Sequence, residues 1–247
     1  MAPASVTQEC LNRLRTADSP TVANVIELFG IRCRAAGYAG PRIRAVYPDL
    51  PPAVGFAVTA AFRGGSAEEA GAAYGDLPAM IEHSASTPAP RIAVFQDLDD
   101  PPRAATYGEV MATAFQSFGF AGLITSGAAR DIAQVRRLGF PCWASATMAS
   151  HGWARIEEIG VPVVVDGLRV RPGALLHADA NGIVEIPLAI AGTVADLCGP
   201  FMEAEQITLR YLQQPHRTPE GLRSAVAEMR RAISDLTERA RRMLPDG

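Results

Sequence analysis

Apolar and polar positions along the chain switch between a helical and a two-residue period, and the changeovers mark the elements. Residues 7–29 read as a helical pair. In "TADSPTVANVIELFG", Val22, Val25, Ile26 and Phe29 fall on one helical face. Asp18 or Ser19 supplies its cap with Pro20 at the first helical position, and Gly30 ends it. The run "VGFAVTAAF" (54–62), between Pro51-Pro52 and Gly64-Gly65, predicts a strand. "SAEEAGAAYGDLPAMIEH" predicts a helix with a break near Gly75 to Pro78. "RIAVFQDLDDPP" (91–102) predicts a buried strand running into a solvated loop that carries Asp97, Asp99 and Asp100. Next, Val110, Met111, Ala114, Phe115 and Phe118 recur at helical spacing and Gly119 closes the element; "AGLIT" is then a short inner strand. "RDIAQVRRLGFP" repeats the theme with Ile132, Val135 and Leu138 on one face and Gly139 as terminator.

From Val161 to Pro187 the pattern is all-β, with a tight hairpin signal at Asp166-Gly167 and further turns at Pro172-Gly173 and Asn181-Gly182. Residues 200–213 predict an amphipathic helix, followed by the polar linker "QQPHRTPEG". Beyond it Leu222, Val226, Met229, Ile233, Leu236, Ala240 and Met243 recur at spacings of four and three, a heptad seam. Two readings of that seam stand open: a helix packing back on its own domain, or a subunit contact. Helices mixed with parallel-looking and hairpin strands give an α/β sandwich. The expected organisation is one α/β domain over 1–213 and a C-terminal helical extension over 214–247.

Composition narrows the function classes. The 247 residues are 48% hydrophobic and 20% charged with a net charge of −3, so nothing global points to nucleic acid or an anionic membrane. Aromatic residues at 6% argue against a base-stacking surface. No apolar run reaches the roughly 20 residues of a membrane span. Cys10, Cys33, Cys142 and Cys198 are scattered without a CxxC, which predicts reduced thiols and a cytoplasmic protein rather than a zinc ribbon. GxGxxG and GxxxxGK[ST] are missing, which argues against a dinucleotide fold or a P-loop; Gly64-Gly65 alone revives neither.

Two strand–helix junctions carry the candidate chemistry. At Tyr107-Gly108-Glu109-Val110-Met111, first-turn amides and the helix dipole favour an anion, and Gly108 admits it closely. At Gly127-Ala128-Ala129-Arg130-Asp131, Arg130 offers a planar donor fork for a carboxylate, and Asp131 a hard oxygen for magnesium. Glu109 adds a second carboxylate. A 2-oxo acid, with a chelating oxygen beside its carboxylate, has the shape such a set would hold. The plainer reading is that Asp131 complements the dipole of its own helix. His151 and Arg155 could line the same cleft, with a structural role for His151 as the plainer reading. A metal role for His177 with Asp179 is weaker still. The chain contains no lysine, so it offers no Schiff base.

The order of these segments resembles the RraA-like family, which includes metal-dependent 4-hydroxy-4-methyl-2-oxoglutarate / 4-carboxy-4-hydroxy-2-oxoadipate aldolases and the regulator of ribonuclease activity A. The resemblance rests on Gly108-Glu109-Val110-Met111-Ala112-Thr113, then Gly127-Ala128-Ala129-Arg130-Asp131, then Gly139-Phe140-Pro141-Cys142-Trp143-Ala144, and continues through "VPVVVDGLRVRPGALLHADANGIVEIP". It covers roughly residues 11–212. Ser126 and Asn24 stand where members often carry Asp. The resemblance implies a layered α/β sandwich like a swivelling phosphohistidine-type domain, with added C-terminal helices. It implies that Arg130 and the amides of Val110 and Met111, beside Gly108, bind the pyruvoyl carboxylate. Asp131 would ligate Mg²⁺ or Mn²⁺, and Glu109 would act on the metal through water. The implied activity is a retro-aldol lyase that releases pyruvate from a short 4-hydroxy-2-oxo acid, with oxaloacetate decarboxylation as a side activity. The implied assembly is a homotrimer or dimer of trimers, with a carboxylate from a neighbouring subunit, Glu203 or Glu205, reaching the site. The alternative is a non-catalytic regulator that binds a ribonuclease or helicase.

Overall fold

The computed structural model describes residues 6–65 and 76–244. The first part of the helix expected in "SAEEAGAAYGDLPAMIEH", up to Gly75, lies outside the described residues. The chain divides into two units, one of residues 35–186 and one of residues 1–34 with 187–247.

The capping signals act where they stand. Thr7 caps α1 (Gln8–Leu14). The Asp18 side chain accepts the Thr21 N–H at 2.9 Å and caps α2 (Ser19–Glu27), with Pro20 in its first turn. The 35–186 unit then runs β1 (Arg44–Ala45), β2 (Ala53–Arg63), α3 (Leu77–Ser84), β3 (Arg91–Asp97), β4 (Ala105–Tyr107), α4 (Glu109–Ser117), β5 (Phe120–Thr125), β6 (Ala128–Ala129), α5 (Ile132–Leu138), β7 (Cys142–Ala144) and β8 (Ala146–Thr147). It closes with β9 (Arg155–Ile159), β10 (Val163–Val165), β11 (Leu168–Val170), β12 (Leu175–Ala178) and β13 (Ile183–Ile186).

Among the described residues the main sheet has eight strands in the order β1-β7-β5-β3-β2-β12-β13, with β9 also paired to β2. Strands β2, β3, β5 and β7 are parallel neighbours joined through helices. Both faces of these strands are buried, so their sequences read as continuous apolar runs instead of alternating ones. Alternation survives as a choice of core. Val58, Ala60, Phe62, Ala93 and Phe95 pack with Met80, Met111, Phe115 and Val135 of the helices. Ala57, Ile92 and Val94 pack with Trp143 and with Val163, Val165, Leu168 and Val170 of the β10–β11 hairpin. The hairpin turns at Asp166 (φ 45°) and Gly167 (φ 84°), as that dipeptide predicts.

A second sheet, β4-β6-β8, is three short parallel strands. Its register sets Ala105 against Ala128 and Tyr107 against Ala129. Since β4 leads into α4 and β6 leads into Arg130-Asp131, this pairing lays the two strand–helix junctions side by side.

The other unit adds α6 (Ala191–Leu212) and α7 (Pro219–Arg242) to α1 and α2. Among the described residues no helix is long and apolar enough to cross a membrane. α6 begins nine residues before the expected start and runs through Pro200. Its buried stripe of Val194, Leu197, Cys198, Phe201 and Ala204 continues past the proline, and packing outweighs the one lost backbone bond. The heptad seam packs on α6: Ala240 is buried, Val226, Met229, Ile233 and Leu236 are half-buried, and Leu222 and Met243 are exposed.

Other expectations need correcting. Val110 and Phe118 are 58% and 57% exposed; the buried face of α4 is Met111, Ala112 and Phe115. Phe118 lies past the last helical turn, where the chain leaves the core at Gly119 (φ 80°). Asp97 and Asp99 do not belong to a solvated loop. Asp97 is buried, and Asp99 accepts the N–H groups of Gly64 and Gly65 at 2.9 and 2.8 Å. The glycine pair therefore binds the protein's own carboxylate.

Candidate active site

Gly108 is where the two junctions meet. A Cβ there would stand inside van der Waals contact of Asp131 Oδ2 and 3.0 Å from both Cγ and Nε of Arg130. As the two junctions stand, no side chain fits between the start of α4 and the Arg130-Asp131 pair. Arg130 N–H donates to the Tyr107 carbonyl at 3.1 Å, which fixes the spacing of the two strands here.

Asp131 does not cap its own helix. It precedes α5 with φ 55°, ψ 42°, left-handed and unusual for a non-glycine residue, and its side chain makes no capping bond to α5. Its Oδ2 instead accepts the Glu109 N–H at 3.0 Å, at the positive end of α4. The left-handed backbone costs about 1–3 kcal/mol and turns the carboxylate towards the other junction. Arg130 Nε lies 3.9 Å from the same Oδ2. Both contacts fall on one oxygen, Oδ2. The Asp131 side chain is 31% exposed and Arg130 23% exposed, so a small ligand can reach both.

The remaining named residues divide. Gly108, Met111 and Arg130 line one small cleft, together with Tyr107, Thr106, His151, Arg155 and Asp76. Phe62, Leu77 and Ile156 form its apolar wall. Glu109 and Val110 are exposed and do not line it, and Asp131 stands at the neighbouring junction outside the lining. The amides of Val110 and Met111 belong to the first turn of α4, where N–H groups have no acceptor within the helix. His151 and Arg155 do line the Arg130 cleft, as their sequence positions allowed. Arg155 donates to Glu157 at 2.7 Å, and Arg63 donates to the same oxygen at 2.9 Å. The Arg155 bond, with Arg63 beside it, holds the Glu157 carboxyl below its ordinary range. Asp76 was not legible as a site residue. It stands just before α3 and reaches β9, where the Ile156 N–H points at its Oδ2 at 3.4 Å. Only the pairing of β9 with β2 makes that approach.

Ser126 accepts the Asp97 N–H at 2.8 Å, while its own N–H donates to Phe95 O. It holds the ends of β3 and β5 together. His177 is fully buried within the sheet, on β12, and does not line the cleft. Among the described residues no group of three or more His, Cys, Asp or Glu side chains could hold a metal ion. A single carboxylate with waters and a substrate oxygen is the mode magnesium commonly takes, and Asp131 fits it.

The fold and the family were compared with known proteins. A family model described as "RraA-like: Aldolase/RraA" matches residues 22–184. A protein of Halalkalibacterium halodurans named "Putative 4-hydroxy-4-methyl-2-oxoglutarate aldolase" is 35% identical over 81 residues, 32% of this chain and 39% of the relative. The chain thus spans well under two thirds of that relative's length. Among solved structures, an uncharacterised protein of Pseudomonas syringae superposes with a TM-score of 0.71 at 20% identity, over 92% of this chain and 97% of the other. Streptomyces coelicolor RraAS2, described as an unusual member of the RNase ES inhibitor RraA family, gives a TM-score of 0.65 at 24% identity over 82% and 96%. These two likenesses establish the mixed α/β fold with its long C-terminal helices. With its two junctions in register and the model matched across 22–184, the chain belongs to the RraA-like family.

Proposed function

We propose that the protein is a divalent-metal-dependent lyase that cleaves a short 4-hydroxy-2-oxo acid to pyruvate, with oxaloacetate decarboxylation as a related activity. The observation that carries this reading is the closure of Gly108 onto Arg130 and Asp131. It brings the Arg130 side chain, the amide-rich start of α4 and the Asp131 carboxylate together. Arg130 and the first-turn amides of Val110 and Met111 hold the carboxylate beside the 2-oxo group. Asp131 would hold Mg²⁺ or Mn²⁺, and Glu109, exposed beside it, would orient water at the ion. When bound, the ion supplies a Lewis acid for the 2-oxo oxygen. Arg155 gives the far side of the cleft a second fixed cation, suited to a distal carboxylate. The wall of Phe62, Leu77 and Ile156 keeps bulk water from the reacting carbons.

The test offers oxaloacetate and branched 4-hydroxy-2-oxo diacids with Mg²⁺ and follows pyruvate with and without chelator. Metal-dependent release is expected. Arg130→Ala is expected to raise KM chiefly, and Asp131→Ala to abolish the response to metal. Absence of turnover on every substrate would sink the lyase reading.

A further inference from the structure

Three strands bring buried polar side chains together beside Gly127, where the turn to Arg130 and Asp131 begins: Asp97 from β3, Thr106 from β4 and Thr125 from β5. Thr106 Oγ1 lies 2.9 Å from Thr125 Oγ1, which also accepts the Gly127 N–H at 2.9 Å. Asp97 Oδ1 accepts the Asp99 N–H at 3.0 Å, but among the described residues its Oδ2 is buried without a hydrogen bond. A Cβ on Gly127 would collide with Thr106 Oγ1 and stand 2.5 Å from Asp97 Oδ2. Both oxygens therefore border the one small space that the glycine leaves.

The cluster touches both halves of the clamp. Thr106 is followed by Tyr107, whose carbonyl takes the Arg130 N–H at 3.1 Å, and then by Gly108. Gly127 leads to Asp131, whose Oδ2 takes the Glu109 N–H at 3.0 Å. A shift of Thr106 against Thr125 thus moves one junction against the other. Closing the gap to Thr106 gives Asp97 Oδ2 a partner, and the proton on Asp97 sets the direction of the bonds. With Asp97 ionised, the Gly127 N–H donates to Thr125, Thr125 to Thr106 and Thr106 to Oδ2, an unbroken chain. With Asp97 protonated, Oδ2–H donates to Thr106 and Thr106 to Thr125. Two donors then converge on Thr125, and its own hydrogen is left outside the chain.

We propose that Asp97 is a positioning residue for the Gly108–Arg130–Asp131 clamp and acts on it through Thr106 and Thr125; its effect on turnover rests on the lyase reading above. The ionised form, with its unbroken chain, is the one that holds the clamp. Burial pushes the Asp97 carboxyl up to about 6, with Asp99 and Asp100 adding to the rise and the Asp99 amide and Arg63 of β2 opposing it. Arg42, Arg44 and Asp166 face Asp97 across the open cleft that it lines, while β4 and the end of β5 present it with hydroxyls.

The experiment follows backbone amide signals of the isotopically labelled full chain on either side of pH 6, together with the pH profile of kcat/KM. The Glu109 and Arg130 amides, whose hydrogen bonds hold the clamp, are expected to shift with a midpoint of about 6 in the wild type. Asp97→Asn, which cannot ionise, removes that midpoint. Thr106→Val keeps the shape and loses the hydroxyl; it leaves the midpoint at Gly127, beside Oδ2, and removes it at Glu109 and Arg130. Thr106→Ser restores it. The kcat/KM of whichever reaction the wild type catalyses falls by about tenfold below the midpoint, the worth of one net hydrogen bond. Asp97→Asn stays at that low level on both sides. Glu109 and Arg130 amides that ignore the Asp97 titration, or that still follow it in Thr106→Val, overturn the inference. An Asp97→Asn enzyme that keeps the acid limb also overturns it, and each of these results leaves the lyase reading intact. If Thr106→Val does not fold, Asp97→Asn decides. A wild type inactive on every substrate defeats the lyase reading, and the amide signals alone then decide the inference.

Discussion

Gly108 and Asp131 show how much a single position can carry. Gly108 has φ −149°, which any residue adopts, so its need for glycine is spatial. Gly108→Ala would drive a methyl into Asp131 Oδ2 and against Arg130. The Asp131 carboxylate, the closest contact, is the end of a flexible side chain and can swing away, Arg130 needs to yield only a few tenths of an ångström, and the chain loses some unfolded-state freedom, so the fold should be little affected. The expected result is a melting temperature within a few degrees of wild type and kcat/KM down by about 10²-fold, the scale of a 1 Å misplacement. Near-normal activity in Gly108→Ala would show that the close approach has no catalytic meaning. The residue types of the clamp were legible in the sequence, because Arg130 and Asp131 follow an apolar strand end and Gly108 opens a helix. The left-handed backbone of Asp131 was not. Aspartate before a helix reads as an ordinary cap, and only the structure shows its carboxylate serving the other helix.

Elements were legible where short-range chemistry decides them. Asp166-Gly167 made its hairpin, Asp18 and Pro20 opened α2, and Gly139 (φ 64°) closed α5. They were misread where long-range packing decides, as with α6 through Pro200 and the acidic end of β3. The approach of β4 to β6 likewise has no local signal, since their parallel pairing spans more than twenty residues. Asp97 at the end of β3 is the sharpest case. Its Oδ1 accepts the Asp99 N–H at 3.0 Å, while Oδ2 is buried without a hydrogen bond and would lie 2.5 Å from a Cβ on Gly127. Burial raises its pKa from 3.8 to about 6, with Asp99 and Asp100 adding to the rise, and with the Asp99 amide and Arg63 opposing it. A raised carboxyl pKa means the folded state prefers the protonated form. The stabilisation is complete below the unfolded value and is lost as pH rises through about 6. At about 1.4 kcal/mol per unit the loss is on the order of 3 kcal/mol. Asp97→Asn cannot ionise, so its stability relative to wild type should climb by that order between about pH 4 and pH 7. Denaturant titrations at several pH values would measure the difference, and a flat difference would mean Asp97 is not the group that titrates.

At the scale of the molecule, the heptad seam of α7 poses a question that spacing alone left open. A seam can serve only one partner. Val226, Met229, Ile233, Leu236 and Ala240 are half-buried or buried against α6 of the same unit, and Met229 Sδ accepts from Thr208 Oγ1 at 3.3 Å. Thr218 caps α7 through the Gly221 N–H, and Tyr211 of α6 brackets that cap, accepting the Thr218 N–H at 2.8 Å and donating to Thr218 O at 2.9 Å. The connection is thus a defined turn that folds α7 back along α6. What α7 leaves outward is mainly charged, including Arg223, Arg230, Arg239 and Arg241, with Leu222 and Met243 as exposed apolar positions at its two ends. Leu222 shares one surface groove with Pro219, Val226 and Ala227, and Met243 stands at the far end; apolar positions confined to the two ends of a charged face are a poor basis for a stable coiled-coil contact. Deleting residues 215–247 should therefore lower the melting temperature, because it strips the apolar cover from α6, and leave the number of chains per particle unchanged. Light scattering on the full chain and on the shortened one gives that number directly, with a trimer or a dimer of trimers expected for both. Dissociation of the shortened chain at matched concentration would transfer the seam from the fold to the assembly. Retention of the particle together with a clear loss of thermal stability would place α7 as a brace on α6.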